Sequence, residues 1–123
     1  MAALDIRRGF PAMKVILYTY GQPRVGNPEF SNYVFSQLPQ SYIRVINYDD
    51  GVAHSPHRVQ GYKHAGNEVW YKHKDYDGRY IECENYPYEN ENENCSHSLW
   101  LKTGVTSHIY YFGVRFSGMC AVN

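Results

Sequence analysis

The stretch YTYGQPRVGN, Tyr18–Asn27, is where an apolar run stops and a polar turn begins. Upstream of it, MKVILYTY (13–20) is rich in β-branched and aromatic residues and nearly all apolar, the pattern of a strand buried on both faces. Downstream, Asn27-Pro28-Glu29 offers an N-cap followed by proline at the first helical position, and Phe30, Tyr33, Val34 and Leu38 recur at helical spacing. A second strand, SYIRVINY (41–48), ends at Asp49-Asp50-Gly51. A strand, a helix of about ten residues and a strand are the parts of a parallel crossover unit. The chain therefore reads as α/β, and chemistry in such sheets gathers just beyond the carboxyl ends of the strands. Both Gly21-Gln22-Pro23-Arg24 and Asp49-Asp50-Gly51 fall on that edge.

Outward from this unit the pattern thins. MAALDIRRGF (1–10) reads as the last turns of a helix, with Arg7 and Arg8 suited to the carboxyl end of its dipole and Gly9 able to end it. EVWYKH (68–73) and RYIECE (79–84), separated by KDYDG, read as a hairpin of short strands. TSHIYYFG (106–113) reads as a short helix start capped by Thr106 or Ser107. The 123 residues contain no repeat and no linker, so residues 1–123 are expected to belong to one domain. Twelve basic residues balance twelve acidic ones, and 43% of the chain is hydrophobic. That balance points away from disorder and from a nucleic-acid partner. Thirteen tyrosines suit sheets and wet binding surfaces alike, because the ring buries while the hydroxyl stays solvated.

There are three cysteines, an odd number. Cys83 and Cys95 bracket the polar loop ENYPYENENEN (84–94), which a disulfide between them would staple and which would indicate an oxidising compartment. Cys120 is then left over, for an intermolecular bond, a free thiol or a partner in sequence beyond this chain. The N-terminal residues lack the apolar core of a signal peptide, and no run approaches the apolar length of a membrane span.

Asp50 and His108 form the strongest chemical pair. A carboxylate at a strand end, followed far downstream by an imidazole, matches the Ser…Asp…His order of α/β-hydrolase triads. Taken alone, an aspartate at that place is more often a turn former and a histidine more often structural. His54-x-x-His57, His64 and His73 show thin metal-like spacing without an accompanying thiol or carboxylate set, so no metal and no cofactor is expected. Asn94-Cys95-Ser96 fits a glycosylation sequon, though a disulfide at Cys95 would hinder access.

Several segments together resemble the class 3 lipases, the fungal and nematode triacylglycerol lipases and the related feruloyl esterases. They are YTYGQPRVGNPEFSNYV, YIRVINYDDGVAHSP, GYKHAGNEVWY, CENYPYENENENCSHS and SHIYYFG, in that order and spacing, and the similarity runs from about Ala2 to Cys120. The resemblance implies the C-terminal part of an α/β-hydrolase sheet, with the crossover helix and a short C-terminal helix. It implies that Asp50, in the place of the family's N/R-D-x-V-P aspartate, is the triad acid, in preference to Asp49. It implies likewise that His108 is the triad base. Val52 and Ile109 stand where the family lines its acyl pocket, so they are candidate substrate contacts, with core packing the alternative. The family's nucleophile lies on a G-H-S-L-G-G elbow, and no G-x-S-x-G occurs in these residues. The serine and the oxyanion donors are thus expected upstream, as is a partner for Cys120, whose family counterpart bridges to the N-terminal region.

This sequence departs from the family pattern at three places. Ala53 and His57 stand where prolines are usual, and Ser107 stands where aspartate often precedes the catalytic histidine. Losing prolines is expected to loosen the turn after Asp50, since each fixes φ in a loop. The implied function is a secreted carboxylic-ester hydrolase acting on an ester or lipid substrate at an interface. The alternatives are a non-catalytic lipase-derived module binding lipid, sugar or protein, and a piece that leaves an open apolar strand edge at KVILYTY.

Overall fold

The computed structural model describes residues 2–74, 77–99 and 104–116. Its elements in chain order are helix α1 (Ala2–Gly9), strand β1 (Leu17–Tyr20), helix α2 (Pro28–Gln37) and strand β2 (Tyr42–Asn47). Strands β3 (Asn67–Tyr71) and β4 (Ile81–Cys83), helix α3 (Val105–Ile109) and strands β5 (Tyr110–Tyr111) and β6 (Val114–Arg115) follow. The main sheet runs β1-β2-β3-β4, parallel from β1 to β3 and closed by antiparallel β4.

The crossover expected from the sequence is present: β1 and β2 pair in parallel, with α2 between them in the chain. Asn27 caps α2, its side-chain oxygen accepting from the Phe30 N–H at 3.0 Å, and Pro28 occupies the first turn. That satisfies one of the donors a helix leaves open and uses a proline where no N–H is needed. Val34 and Leu38 of the helix side join Leu4 and Tyr42 in one core cluster, with Leu17 and Phe30 packed against it. A second cluster gathers Ile46, Ala53, Trp70, Cys83 and Cys95. The disulfide between Cys83 and Cys95 is formed and lies in this second core.

Three expectations are corrected. The strand in MKVILYTY covers only Leu17–Tyr20 and is not buried on both faces: Tyr18 and Tyr20 remain half exposed. Tyr18 and Tyr20, two positions apart, share the face that stays open, and β1 stands at the end of the strand order among the described residues. The helix at 105–109 is not capped by Thr106 or Ser107, because Gly104 stands at its N-cap and makes no side-chain cap bond. Beyond it, a short β5–β6 hairpin appears that the periodicity did not announce. Phe112 and Gly113, at φ 56° and 75°, make its tight turn.

Candidate active site

The carboxyl end of β2 delivers Asn47 and the turn bearing Asp49 and Asp50. Asp50 is fully buried, yet each of its oxygens has two donors. Oδ1 accepts from the backbone N–H groups of Val52 at 2.9 Å and Ala53 at 3.1 Å. Oδ2 accepts from the Tyr111 hydroxyl at 2.6 Å and lies 3.0 Å from His108 Nδ1. Because a carboxylate can only accept, Nδ1 carries the imidazole proton and Nε2 is left with its lone pair. The His108 side chain is 35% exposed against none for Asp50, so one end of the pair meets solvent and the other is sealed. This is the arrangement of a histidine oriented by an acid and free to take a proton.

Asp49, the competing acid, points elsewhere: its Oδ1 accepts from Ser107 Oγ at 2.5 Å. The two adjacent aspartates thus have different partners, Ser107 for Asp49 and His108 for Asp50.

The strand end that opens at Gly21 forms the floor of the pair. Gly21 has φ +59°, and a Cβ there would fall 2.7 Å from His108 Nδ1 and 2.8 Å from Asp50 Oδ2. Glycine is required both for the left-handed backbone and for the close approach. Arg24 then reaches across to the loop that follows Asp50. Its Nη1 donates to the carbonyls of His54 at 2.5 Å and Pro56 at 3.0 Å, and its backbone N–H donates to Ser55 O at 2.8 Å. On its other side, Nε and Nη2 hold both oxygens of Glu91 at 2.8 and 2.6 Å. Burial acts to raise the Glu91 pKa, but the Arg24 guanidinium and His64 hold the carboxyl well below the usual range. The strand ending in GQPR therefore secures the loop of the buried acid, and through Glu91 it ties that loop to the segment stapled by Cys83 and Cys95.

These bonds also answer the expectation of a loosened turn. Ala53 is fully buried, and its N–H, which a proline would lack, is one of the donors to Asp50. The loop is closed by His54 N to Gly51 O at 3.3 Å, by Ser55 N to Val52 O at 3.0 Å and by Arg24. Hydrogen bonds do here what fixed φ angles were expected to do.

Of the four histidines at metal-like spacing, two are engaged in the loop after Asp50. His54 Nδ1 donates to Asp50 O at 2.7 Å and its Nε2 faces Ser96 Oγ at 3.0 Å. His64 Nε2 donates to Ala53 O at 2.9 Å, and burial, reinforced by Arg44, pushes its pKa well below the ordinary imidazole value. His57 and His73 are exposed. Among the described residues no group of three or more metal-ligating side chains is assembled.

Val52 and Ile109 are half-buried. Val52 contributes its backbone N–H to Asp50, and Ile109, next to His108 on α3, accepts from Phe116 N at 2.8 Å. Cys120 lies outside the described residues.

Two contributors escaped the sequence reading. Tyr111 is buried, and burial together with the Asp50 charge pushes its pKa up, so the phenol stays protonated and donates. Asn47 Nδ2 donates to the carbonyls of Ser107 at 3.1 Å and Tyr110 at 2.8 Å, while its N–H donates to the Tyr111 oxygen at 3.3 Å. Tyr111 sits three positions beyond His108 in SHIYYFG, and that spacing was the available signal.

Comparison with known proteins points to one family. Residues 1–60 match the family described as Lipase (class 3). A lipase of Rhizomucor miehei is 37% identical over 124 residues, covering 98% of this chain and 32% of its own length. The solved structure of lipase II from Rhizopus niveus superposes with a TM-score of 0.81 at 31% identity, covering 93% of this chain and 42% of that one. A triacylglycerol lipase, reported as having a serine-protease triad for its catalytic centre, superposes at 0.77 with 38% identity, over 93% of this chain and 42% of its own. The chain thus spans about a third of the curated R. miehei relative and less than half of the solved structures.

Proposed function

We propose, for a chain that belongs to the class 3 lipase family and has an α/β-hydrolase fold, that it supplies the acid and base of a carboxylic-ester hydrolase. The observation that carries this reading is the 3.0 Å contact between His108 Nδ1 and a fully buried Asp50, made beyond the carboxyl end of a parallel strand. The 123 residues form the C-terminal portion of one hydrolase domain in this reading. The nucleophilic serine, the oxyanion donors and a partner for Cys120 come from segments outside them.

His108 Nε2 takes the serine proton as the serine oxygen attacks the ester carbonyl. The tetrahedral intermediate collapses to an acyl-enzyme, and the proton passes from Nε2 to the departing alkoxide. Water then repeats the sequence: Nε2 takes its proton, the hydroxide attacks the acyl carbon, and the proton returns to serine as the acid leaves. Asp50 stays ionised throughout, holding the imidazole tautomer and stabilising its cation. Tyr111 keeps that carboxylate aimed. Val52 and Ile109 flank the pair as the walls met by the acyl chain. The substrate class is a triacylglycerol or related ester, presented at a lipid–water interface, and the disulfide fits a secreted protein.

The test uses p-nitrophenyl butyrate with the full-length protein that carries this chain. Asp50→Asn is expected to lower kcat by about four orders of magnitude, with His108→Gln at least as damaging. The 123-residue chain alone is expected to hydrolyse nothing above background, because the donors that act on transition-state charge lie elsewhere. A full-length Asp50→Asn protein within tenfold of the unaltered rate would overturn the assignment.

A further inference from the structure

Helix α3 is five residues long, and Gly104 at its N-cap makes no side-chain cap bond. A helix of that length does not sustain itself in water. The direction in which it presents His108 is therefore set by what it is tied to, and the ties come from the end of β2. Two have been described, the Asn47 amide on the carbonyls of Ser107 and Tyr110, and the Asp50 carboxylate on His108 itself.

The third is Asp49. Its Oδ1 accepts from Ser107 Oγ at 2.5 Å, and its backbone carbonyl accepts from the Gly104 N–H at 3.0 Å. A Cβ on residue 104 would stand 2.1 Å from that Oδ1 and 2.6 Å from the Asp49 Cγ. Gly104 has φ −73°, so its lack of a side chain serves space rather than backbone conformation. The carboxylate comes this close to the helix start only because nothing is there.

We propose that Asp49 is a positioning residue for His108. It holds α3 at its N-cap through its carbonyl and at the residue before His108 through its carboxylate, so that the imidazole meets Asp50 at bonding distance. The two neighbouring acids divide the work: Asp50 faces the imidazole, and Asp49 faces the helix that carries it. A hydroxyl bonded to a charged acceptor belongs to the stronger class of hydrogen bonds, which suits a single contact asked to fix a short helix. The catalytic consequence rests on the ester-hydrolase reading above, whereas the geometric one does not.

The experiment is NMR on the full-length protein that carries this chain and on its Asp49→Ala, Ser107→Ala, Asp49→Asn and doubly substituted Asp49→Ala/Ser107→Ala variants. Two signals are read: the downfield His108 Nδ1 proton, which reports its bond to Asp50, and the exchange rate of the Gly104 amide. Each alanine variant is expected to accelerate Gly104 exchange by roughly tenfold or more and to weaken the Nδ1 signal. The double variant should be no worse than the worse single one, since both remove the same contact. Asp49→Asn keeps an oxygen acceptor and should restore both signals. If Asp49→Ala does not fold, Ser107→Ala and Asp49→Asn carry the test. A Ser107→Ala chain within about twofold of the unaltered one on both signals overturns the proposal, as does an Asp49→Asn chain as perturbed as Asp49→Ala. In the full-length protein, Ser107→Ala should lower kcat by about ten- to a hundredfold with KM nearly unchanged. Coupled NMR responses in a full-length protein that hydrolyses no ester would support the positioning role and overturn the ester-hydrolase reading, so the two fail separately.

Discussion

Replacing Gly21 by alanine puts a methyl group into the floor of the Asp50–His108 pair. The new Cβ would lie 2.7 Å from His108 Nδ1, 2.8 Å from Asp50 Oδ2 and 2.9 Å from His108 Cε1. Asp50 has no room to give, being fully buried and held on both oxygens, so the half-exposed imidazole is what moves. Reaching ordinary contact takes it at least about 0.7 Å, enough to stretch a 3.0 Å hydrogen bond out of range. Two costs add. An alanine at φ +59° costs about 1–2 kcal/mol, and crowding a packed site costs about 1–3 kcal/mol more. The expected loss is therefore about 2–5 kcal/mol. Gly61 supplies the control: its φ is +83°, and nothing lies within 4 Å of its missing Cβ. Gly61→Ala should show only the backbone cost, about 1–2 kcal/mol. Urea unfolding of both variants gives the two numbers at a common m-value, and the Nδ1 proton of His108 reports the pair directly. Equal losses within about 0.5 kcal/mol, with that proton unchanged in Gly21→Ala, would refute the claim that this glycine exists to let the pair form.

Arg24→Met keeps the aliphatic stem but leaves Glu91 buried without its cation and takes one donor from each of two carbonyls. It should cost about 3–5 kcal/mol in urea unfolding, part of which Glu91→Leu added to it should recover; a purely additive double variant would argue against the clamp. Tyr111→Phe removes one of the donors to Asp50 Oδ2 at nearly constant shape and should cost about 1–3 kcal/mol, with a broadened His108 Nδ1 proton; an unaltered spectrum would reduce the tyrosine to packing. Stability should fall on acidification in two stages. His64 has a folded pKa below the free value of 6.5, so beneath that pH the unfolded chain binds a proton that the folded chain refuses. The slope then approaches about 1.4 kcal/mol per pH unit. Glu91, depressed in the fold, adds its own loss below its free value of 4.5. Urea midpoints across this range check it, and His64→Gln should flatten the first stage; a midpoint that holds steady from about pH 7 to pH 5 would contradict the burial of a neutral His64.

What could be read before the fold was seen follows from the range over which each signal acts. Asn27-Pro28 and the helical spacing from Phe30 to Leu38 are local, and the crossover they announce is present with its cap. The bracket of Cys83 and Cys95 is nearly as local. Asp50 and His108 are far apart in sequence; their order suggested a pair, and motifs resembling a family, not any periodicity, gave it weight. The contacts that hold them were hidden for the same reason. Arg24 and Glu91 are 67 positions apart, and Asp49 and Ser107 are 58 apart. Each pair comes from loops or element ends, where no repeat of 2 or 3.6 residues advertises a partner. A cap for α3 was sought in its own residues, as capping rules direct, whereas the helix is anchored instead by Asp49, from another part of the chain.

The saturation of Asp50 bears on how protons travel. With two donors on each oxygen and no surface open to solvent, the carboxylate has neither a vacant lone pair to offer nor a route by which water could reach it. It is a fixed counter-charge, not a reservoir. Among the described residues, the His108 ring is the member of the pair that meets solvent. In the proposed reaction, then, His108 Nε2 would be the atom that hands each proton on, while the buried partner beneath it only holds the ring in place.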